Sequence, residues 1–302
     1  MSKPRKKKIL YLFDVILLLA LAVELYVSNN VLSVSEYTIH ADVESPIRIV
    51  HLTDLHNKQF GKDNKRLVEK IREQKPDYIF MTGDMISQHD KLDRHLSLIR
   101  NLSEIAPIYY SYGNHEKDWE RNYPKQFLRE QLEDAGAVVL KDEYLNLELN
   151  GNPVRLAGMY GYYRRPVMTT SDEDEKKHIV QWCQELEDTD RYKILLCHIP
   201  TTWLDWDFIN GYPEDIQNSE YYDGKNIDLV FSGHYHGGQI RAPGISGLFA
   251  PYVGWFPQYT KGLFEGEKTT CVLSAGLGSY GWVPRLFNRP EMVTVTIRNR
   301  NN

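Results

Sequence analysis

Cysteine is scarce in this chain. Cys183, Cys197 and Cys271 are its three, and no two form a CxxC pair. The odd count argues against a disulfide framework, and the three read as small buried hydrophobes. An excess of basic charge is also lacking. The formal net charge is −5, so no global positive field marks a nucleic-acid surface, and no nucleic-acid partner is expected. Internal repeats and low-complexity tracts are absent as well. What remains is ordinary globular material: 302 residues, 42% apolar and 25% charged, enough for one large domain or two modest ones. Tyrosine (20) and tryptophan (6) are plentiful, to be divided between core and partly apolar surface.

The N-terminus differs from the rest. MSKPRKKK (1–8) carries five basic side chains, and ILYLFDVILLLALAVELYV (9–27) follows with Asp14 and Glu24 near its two ends. As a helix this run is about as long as a bilayer core is thick. Three readings are open: an uncleaved signal anchor, which the length favours; a cleaved signal peptide, for which Ala20-Leu21-Ala22 offers a site inside the apolar run; and a buried soluble helix. No Arg-Arg pair points to twin-arginine export. Basic residues crowd the N-terminal flank and are missing from 28–47. The positive-inside rule therefore predicts a cytoplasmic tail (1–8), a transmembrane segment (9–28) and everything beyond it outside the cytoplasmic membrane.

Residues 29–45 read as a linker or a first strand, and 46–302 as the folded domain. Within it, PIRIVHLTD (46–54), PDYIFMTGD (76–84) and IAPIYYSYGNHE (105–116) read as strands, the last ending in a turn. DNKRLVEKIREQ (63–74), KLDRHLSLIRNL (91–102) and PKQFLREQLEDAG (124–136) read as helices. This alternation predicts an α/β layer architecture. The second half is richer in strand. A hairpin is expected over 137–159, turning at Asn150-Gly151-Asn152, then a helix over 171–187. Apolar strands follow at 193–200, 226–234 and 269–276, and an alternating one at 291–297.

The chemistry sits where these strands stop. They end in Asp54-Leu55-His56, Gly83-Asp84, Gly113-Asn114-His115-Glu116, His198 and His234-Tyr235-His236. In α/β folds ligands gather at the carboxyl ends of strands, so five strand ends can converge on one place. Asp and His together suit borderline divalent ions such as Mn, Fe or Zn. An all-oxygen Ca or Mg site has no use for four histidines, and no cysteine falls among these positions. Two such ions can clamp the attacking and leaving oxygens of a phosphoryl displacement.

DLH (54–56), GDM (83–85), GNHE (113–116), the single His198 and GHYH (233–236), in that order, resemble the calcineurin-like metallophosphoesterases, whose pattern is D-x-H, GD, GNH-D/E, H, GH-x-H. The resemblance spans residues 46–297. It implies two facing mixed sheets flanked by helices, a four-layer sandwich, here behind one N-terminal transmembrane helix. It implies that Asp54, His56 and His236 bind one ion, that Asn114, His198 and His234 bind the other, and that Asp84 bridges them. A hydroxide held between the ions is then the nucleophile, and His115 faces the phosphate without binding metal. The reaction implied is hydrolysis of a phosphate ester or diester, with the pyrophosphate of a lipid-linked nucleotide or sugar as the alternative substrate. A non-catalytic metal scaffold is the alternative of another class.

The chain departs from many family members at Ser87, three residues after the GD aspartate, where Asp or Arg is common. GGQIRAP, SAGLGSYG and PRLFNRPE resemble a bacterial branch held in the membrane, in which some relatives cleave lipid-linked substrates such as a UDP-diacylglucosamine. In that stretch Arg285 is a candidate phosphate contact, against a structural ion pair with a residue such as Glu291. The aromatic segments 201–212 and 248–259 are candidates for an apolar rim, or for packed lids. His51 lies near the cluster in sequence, but strand alternation points it elsewhere.

Overall fold

Strands β2 (Ile47–Leu52), β3 (Tyr78–Met81), β4 (Ile108–Ser111) and β5 (Ala137–Leu140) run parallel and side by side in the computed structural model. The structure describes residues 3–87, 92–124, 126–159, 181–182, 184–200, 226–242, 244, 246–250, 253–266, 269–279, 281 and 283–301. The other edge of this sheet is built from the chain's two ends. The C-terminal strand β14 (Glu291–Asn299) lies antiparallel to β2, and β1 (Ser33–Ala41) lies parallel to β14, so residues 33–41 are a strand of the sheet.

A second six-stranded sheet has β6 (Glu143–Leu149), β7 (Asn152–Met159), β8 (Tyr192–Cys197), β9 (Leu229–Ser232), β13 (Thr270–Leu273) and β12 (Gly262–Glu265) in spatial order. Its four central strands are parallel, and β6 and β12 pair antiparallel at the edges. A short ribbon, β10 (Phe249–Ala250) with β11 (Gly254–Trp255), stands apart.

The period-2 pattern explains the layering. In β2, Ile47 and Ile49 face the other sheet while Val50 and Leu52 face helices. Between the sheets, Phe80 meets Phe231 edge-on with ring centroids 5.3 Å apart. On the outer face of the first sheet lie α2 (Lys65–Glu73), α3 (Asp93–Ser103) and α5 (Phe127–Asp134), which bury Leu67, Ile71, Leu98, Ile99 and Leu132. On the outer face of the second, Trp182 and Leu186 pack with Leu195, Val230 and Cys271. The result is the expected four-layer α/β sandwich. Cys197 and Cys271 are buried free thiols, and Cys183 lies outside the described residues.

Two expectations are corrected. The segment 137–159 is not one hairpin. Only β6 and β7 form it, turning at Asn150-Gly151, while β5 belongs to the first sheet and pairs with β4. GNHE is not a turn. Residues Asn114–Glu120 form a short helix, α4, with Gly113 at its N-cap. Of the predicted helix over 171–187, 171–180 lie outside the described residues, and 184–187 are helical.

Helix α1 (Lys3–Asn30) precedes all this. Within residues 7–30 an 18-residue stretch has a mean hydropathy of 2.3 and is left unburied by the rest of the chain, so the helix is long and apolar enough to cross a membrane, while Ser28 near its end is buried against the domain.

Candidate metal centre

The carboxyl ends of β2, β3, β8 and β9 meet with the start of α4. Here the structure brings together Asp54, His56, Asp84, His115, His198, His234 and His236. Three groups have ligand atoms within 4.8 Å of one another: Asp54, His56 and His236; Asp84, His198 and His234; and His56, Asp84 and His115. The groups are tied across their boundary. His56 Nε2 lies 3.9 Å from both Asp54 Oδ1 and Asp84 Oδ2, and His198 Nε2 lies 3.1 Å from Asp84 Oδ2 and 3.9 Å from Asp54 Oδ1. His236 Nε2 is 3.4 Å from Asp54 Oδ1.

The backbone does unusual work in getting them there. Asp54, His56, Asp84, His234 and His236 all have positive φ, between 45° and 71°. This left-handed region is disfavoured for residues with a Cβ, and such strain gathers at sites where the surroundings over-determine it. His234 and His236 therefore do not alternate as in a strand. Each sits in its own left-handed turn and joins a different group. Gly83, at φ 84°, lies where an added Cβ would stand 2.0 Å from Gly113 N, so the two glycines let two of the motifs touch.

Each carboxylate is fixed by protein donors. Asp54 accepts from the His234 N–H at 3.0 Å and the Thr53 hydroxyl at 2.9 Å. Asp84 Oδ1 accepts from the His115 N–H at 2.8 Å. His198 Nδ1 lies 2.7 Å from the Thr82 carbonyl, which makes Nδ1 the protonated nitrogen and directs Nε2 into the cluster. Asn114 is buried beside Gly113, and its Oδ1 has no hydrogen-bond partner among the described residues. His56 Nε2 is likewise buried without one. At the departure position, Ser87 Oγ stands 3.4 Å from His56 Nδ1.

Electrostatics sharpen the picture. Burial raises the Asp54 carboxyl to about 6, with Asp84 adding to the shift. Burial also pushes Asp84 up, but His198, His56 and His115 together carry it well below the ordinary carboxylate range. Burial lowers His56 to about 4 and takes His234 and His236 well below the usual imidazole value. Burial opposes charge on His198 too, yet Asp84 and Asp54 lift it to about 9. Two buried carboxylates thus draw a proton onto one imidazole, where a divalent cation would supply that positive charge instead. Neutral imidazoles, carboxylates and orphaned buried acceptors at Asn114 and His56 make a donor set that fits borderline divalent metals.

His115 differs from its neighbours. Its side chain is 30% exposed, and its ring meets that of His56 edge-on at 4.7 Å, which places it at the mouth of the cluster. His51 is buried between the sheets, 2.7 Å from Thr82 Oγ1, with its ring against Phe231.

Arg285 departs from the expected phosphate contact. It is fully buried behind the cluster, and its guanidinium donates to the carbonyls of Gly278, Ala275, Gly276 and His236. Its donors are spent on backbone, which fixes the loop carrying His236.

Glu116 carries a structural role that sequence reasoning missed. Its buried carboxylate accepts from the N–H groups of Asp84 (2.7 Å), Met85 (2.9 Å) and Gly113 (2.9 Å) and from the Tyr110 hydroxyl (2.8 Å). The only signal was its place as the third helical residue after a glycine N-cap, where a Glu reaches back to the cap's N–H. The segment 201–212 lies outside the described residues.

Buried carboxylates and imidazoles at the strand ends of two facing sheets define a metal-dependent phosphoester hydrolase. A family model described as calcineurin-like phosphoesterase matches residues 47–238, and the chain belongs to that family. It is 27% identical to the Bacillus subtilis metallophosphoesterase YkoQ over 93% of this chain and 98% of that one. It is 28% identical to the Campylobacter jejuni metallophosphoesterase Cj0846 over 96% of this chain and 70% of that one. Among solved structures, a phosphopantetheinyl hydrolase of Mycobacterium tuberculosis overlaps 80% of this chain and 96% of its own, at 14% identity and a TM-score of 0.43.

Proposed function

We propose that the chain hydrolyses phosphate esters or diesters at a two-metal centre held outside the cytoplasmic membrane by α1. The observation that carries this is the pair of abutting ligand groups, Asp54/His56/His236 and Asp84/His198/His234, with Asp84 Oδ2 within 3.9 Å of imidazoles from both. Asn114 completes the second group through its orphaned Oδ1. When bound, Mn, Fe or Zn supplies Lewis-acid stabilisation of phosphoryl oxygens and brings the pKa of water toward neutrality.

The chain's own side chains do the rest. His198, locked by Thr82, and Asp54, locked by His234 N–H and Thr53, hold their lone pairs inward without reorganisation. His115 stands half-open at the mouth with its backbone fixed on Asp84. There it stabilises charge on the phosphate and gives a proton to the leaving oxygen. The basic residues of 1–8, before the apolar run, and the flank after it, which lacks Lys and Arg, support a cytoplasmic N-terminus with the domain outside.

A second reading, a lipid-linked phosphate or pyrophosphate as substrate, is favoured by one observation. An apolar cavity of about 310 Å³ adjoins His236, walled by Tyr235, Ile240, Leu248, Phe249 and Trp255.

The test uses the full chain in detergent, stripped of metal and reloaded with Mn. Bis-p-nitrophenyl phosphate and the monoester are assayed beside a single-chain phosphodiester lipid. Metal-dependent release is expected, and His115→Ala should lower kcat by about 10²- to 10⁴-fold with metal content unchanged. A protein shown to hold two ions that turns over none of the three sinks the hydrolase reading. A preference for the lipid would promote the second reading over the first.

A further inference from the structure

Apart from α1, the most exposed large apolar side chains among the described residues are Trp255 (69%), Phe256 (65%) and Phe287 (55%). Backbone pairing links the segments that carry them. The Phe256 N–H donates to the Leu248 carbonyl and the Leu248 N–H to the Ile240 carbonyl, and Ile240 bridges to Leu286. Neighbouring extended segments lie about 4.8 Å apart, so three steps carry the chain from Trp255-Phe256 to Leu286-Phe287. Soluble surfaces rarely gather large aromatics in this way unless something covers them.

The covering is indicated by α1. Phe287 N–H donates to Glu24 Oε1 at 3.0 Å, Ser28 Oγ donates to the same oxygen at 2.5 Å, and Asn288 N–H donates to Ser28 Oγ at 3.2 Å. Asn29 is bonded to Arg285 in both directions, Nδ2 to the carbonyl at 2.8 Å and Oδ1 from the N–H at 3.0 Å. The loop 285–288 is therefore clamped to the last turns of the apolar helix. Glu24 is six residues before Asn30, about 9 Å along the axis. Wherever α1 leaves the hydrocarbon, Phe287 is held at that depth. The clamp also accounts for Glu24, a carboxylate near the end of an apolar span, by giving it two donors.

We infer that Trp255, Phe256 and Phe287 form a second membrane contact, seated in the bilayer's interfacial layer beside α1. The chemistry fits: aromatic rings are enriched at that depth, where an apolar body meets hydrated headgroups. The inference rests on the reading of α1 as a membrane span. It goes beyond anchoring, because it sets the rotation of the domain: the face of the cavity beside His236 that carries Trp255 is turned to the lipid surface and does not swing on a tether.

The test is depth-resolved fluorescence quenching. The full chain is reconstituted into phosphatidylcholine–phosphatidylglycerol vesicles whose acyl chains carry bromine near the headgroup end, with unbrominated vesicles as reference. Trp255→Phe should lose more than the one-sixth share of an average tryptophan from the lipid-dependent quenching, the chain having six. Phe287→Trp should add quenching, and Trp119→Phe, in the buried core, should change nothing. Far-UV circular dichroism checks that each variant folds, and Phe287→Trp carries the test if Trp255→Phe does not fold. Retention in alkaline carbonate reports α1 separately. Retention with quenching unchanged in both Trp255→Phe and Phe287→Trp overturns this contact and leaves the anchor standing. Extraction by carbonate overturns both.

Discussion

Five side chains of the cluster stand on left-handed backbone, and something must hold them there. Each such residue costs about 1–3 kcal/mol relative to relaxed backbone. Glu116 supplies much of the hold around Asp84. Without it, the N–H groups of Asp84, Met85 and Gly113 and the Tyr110 hydroxyl lose a charged acceptor in a buried place. Each orphaned donor costs about 1–3 kcal/mol. Glu116→Ala should therefore lower unfolding free energy by at least about 3 kcal/mol and abolish stable metal retention. Glu116→Gln should do less, since one oxygen survives. Urea unfolding and metal content check both, and an alanine variant within about 0.5 kcal/mol of the parent would remove this role. At this scale the sequence was legible by residue type. Asp54, His56, Asp84, His198, His234 and His236 announce themselves as donors at strand ends. Glu116 and the positive φ angles did not, because one acts through backbone amides and the other is backbone geometry.

At the scale of elements, the strands of both sheets follow from runs of β-branched and apolar residues, and the helices from Leu67/Ile71-type spacing. The misreadings have physical causes. β5 and β6 are separated by only two residues, which looks like one continuous strand region, yet they enter different sheets. GNHE looks like a turn because its helix is short and begins with a glycine cap. Arg285 looked like an anion contact because nothing in a sequence says that carbonyls will surround it. The least legible link was the end of α1, where Glu24, Ser28 and Asn29 clamp the loop 285–288. Asn29 holds Arg285, and Arg285 and Asn288 both donate to the His236 carbonyl. Asn29→Ala should cost about 1–2 kcal/mol for the lost pair. It should also raise the Mn concentration needed for half-maximal hydrolysis by about 3–10-fold, below the 10–100-fold typical of direct outer-shell partners. KM for the ester at saturating Mn should stay put. A change in KM alone, with the metal requirement unmoved, would mean the clamp does not reach the cluster. A chain lacking residues 1–28 loses Glu24 and Ser28 as well and should show the larger metal effect.

For the whole molecule, the centre is a stability problem that metal solves. Asp54, Asp84, His198, His234 and His236 are buried where the two sheets end, in a shell already committed to orienting them. Left to themselves they settle by placing a proton on His198 between two carboxylates. A divalent ion that binds the folded chain and not the unfolded one stabilises it by RT ln(1 + [L]/Kd), about 1.4 kcal/mol per tenfold rise in free ion at each site. For a domain of this size that is about 3–6 °C in melting temperature per tenfold and per site. Scans of the full chain in buffered Mn should therefore climb steadily with free metal, and chelation should set the floor. Two sites of unequal affinity should bend the plot once, from the single-site slope to about twice that slope as free Mn passes the weaker site's Kd. A melting temperature independent of Mn over several decades would mean that the cluster is a satisfied polar core. The ligand geometry at Asp54, His56 and His236 and at Asp84, His198 and His234 would then have no ion to explain it.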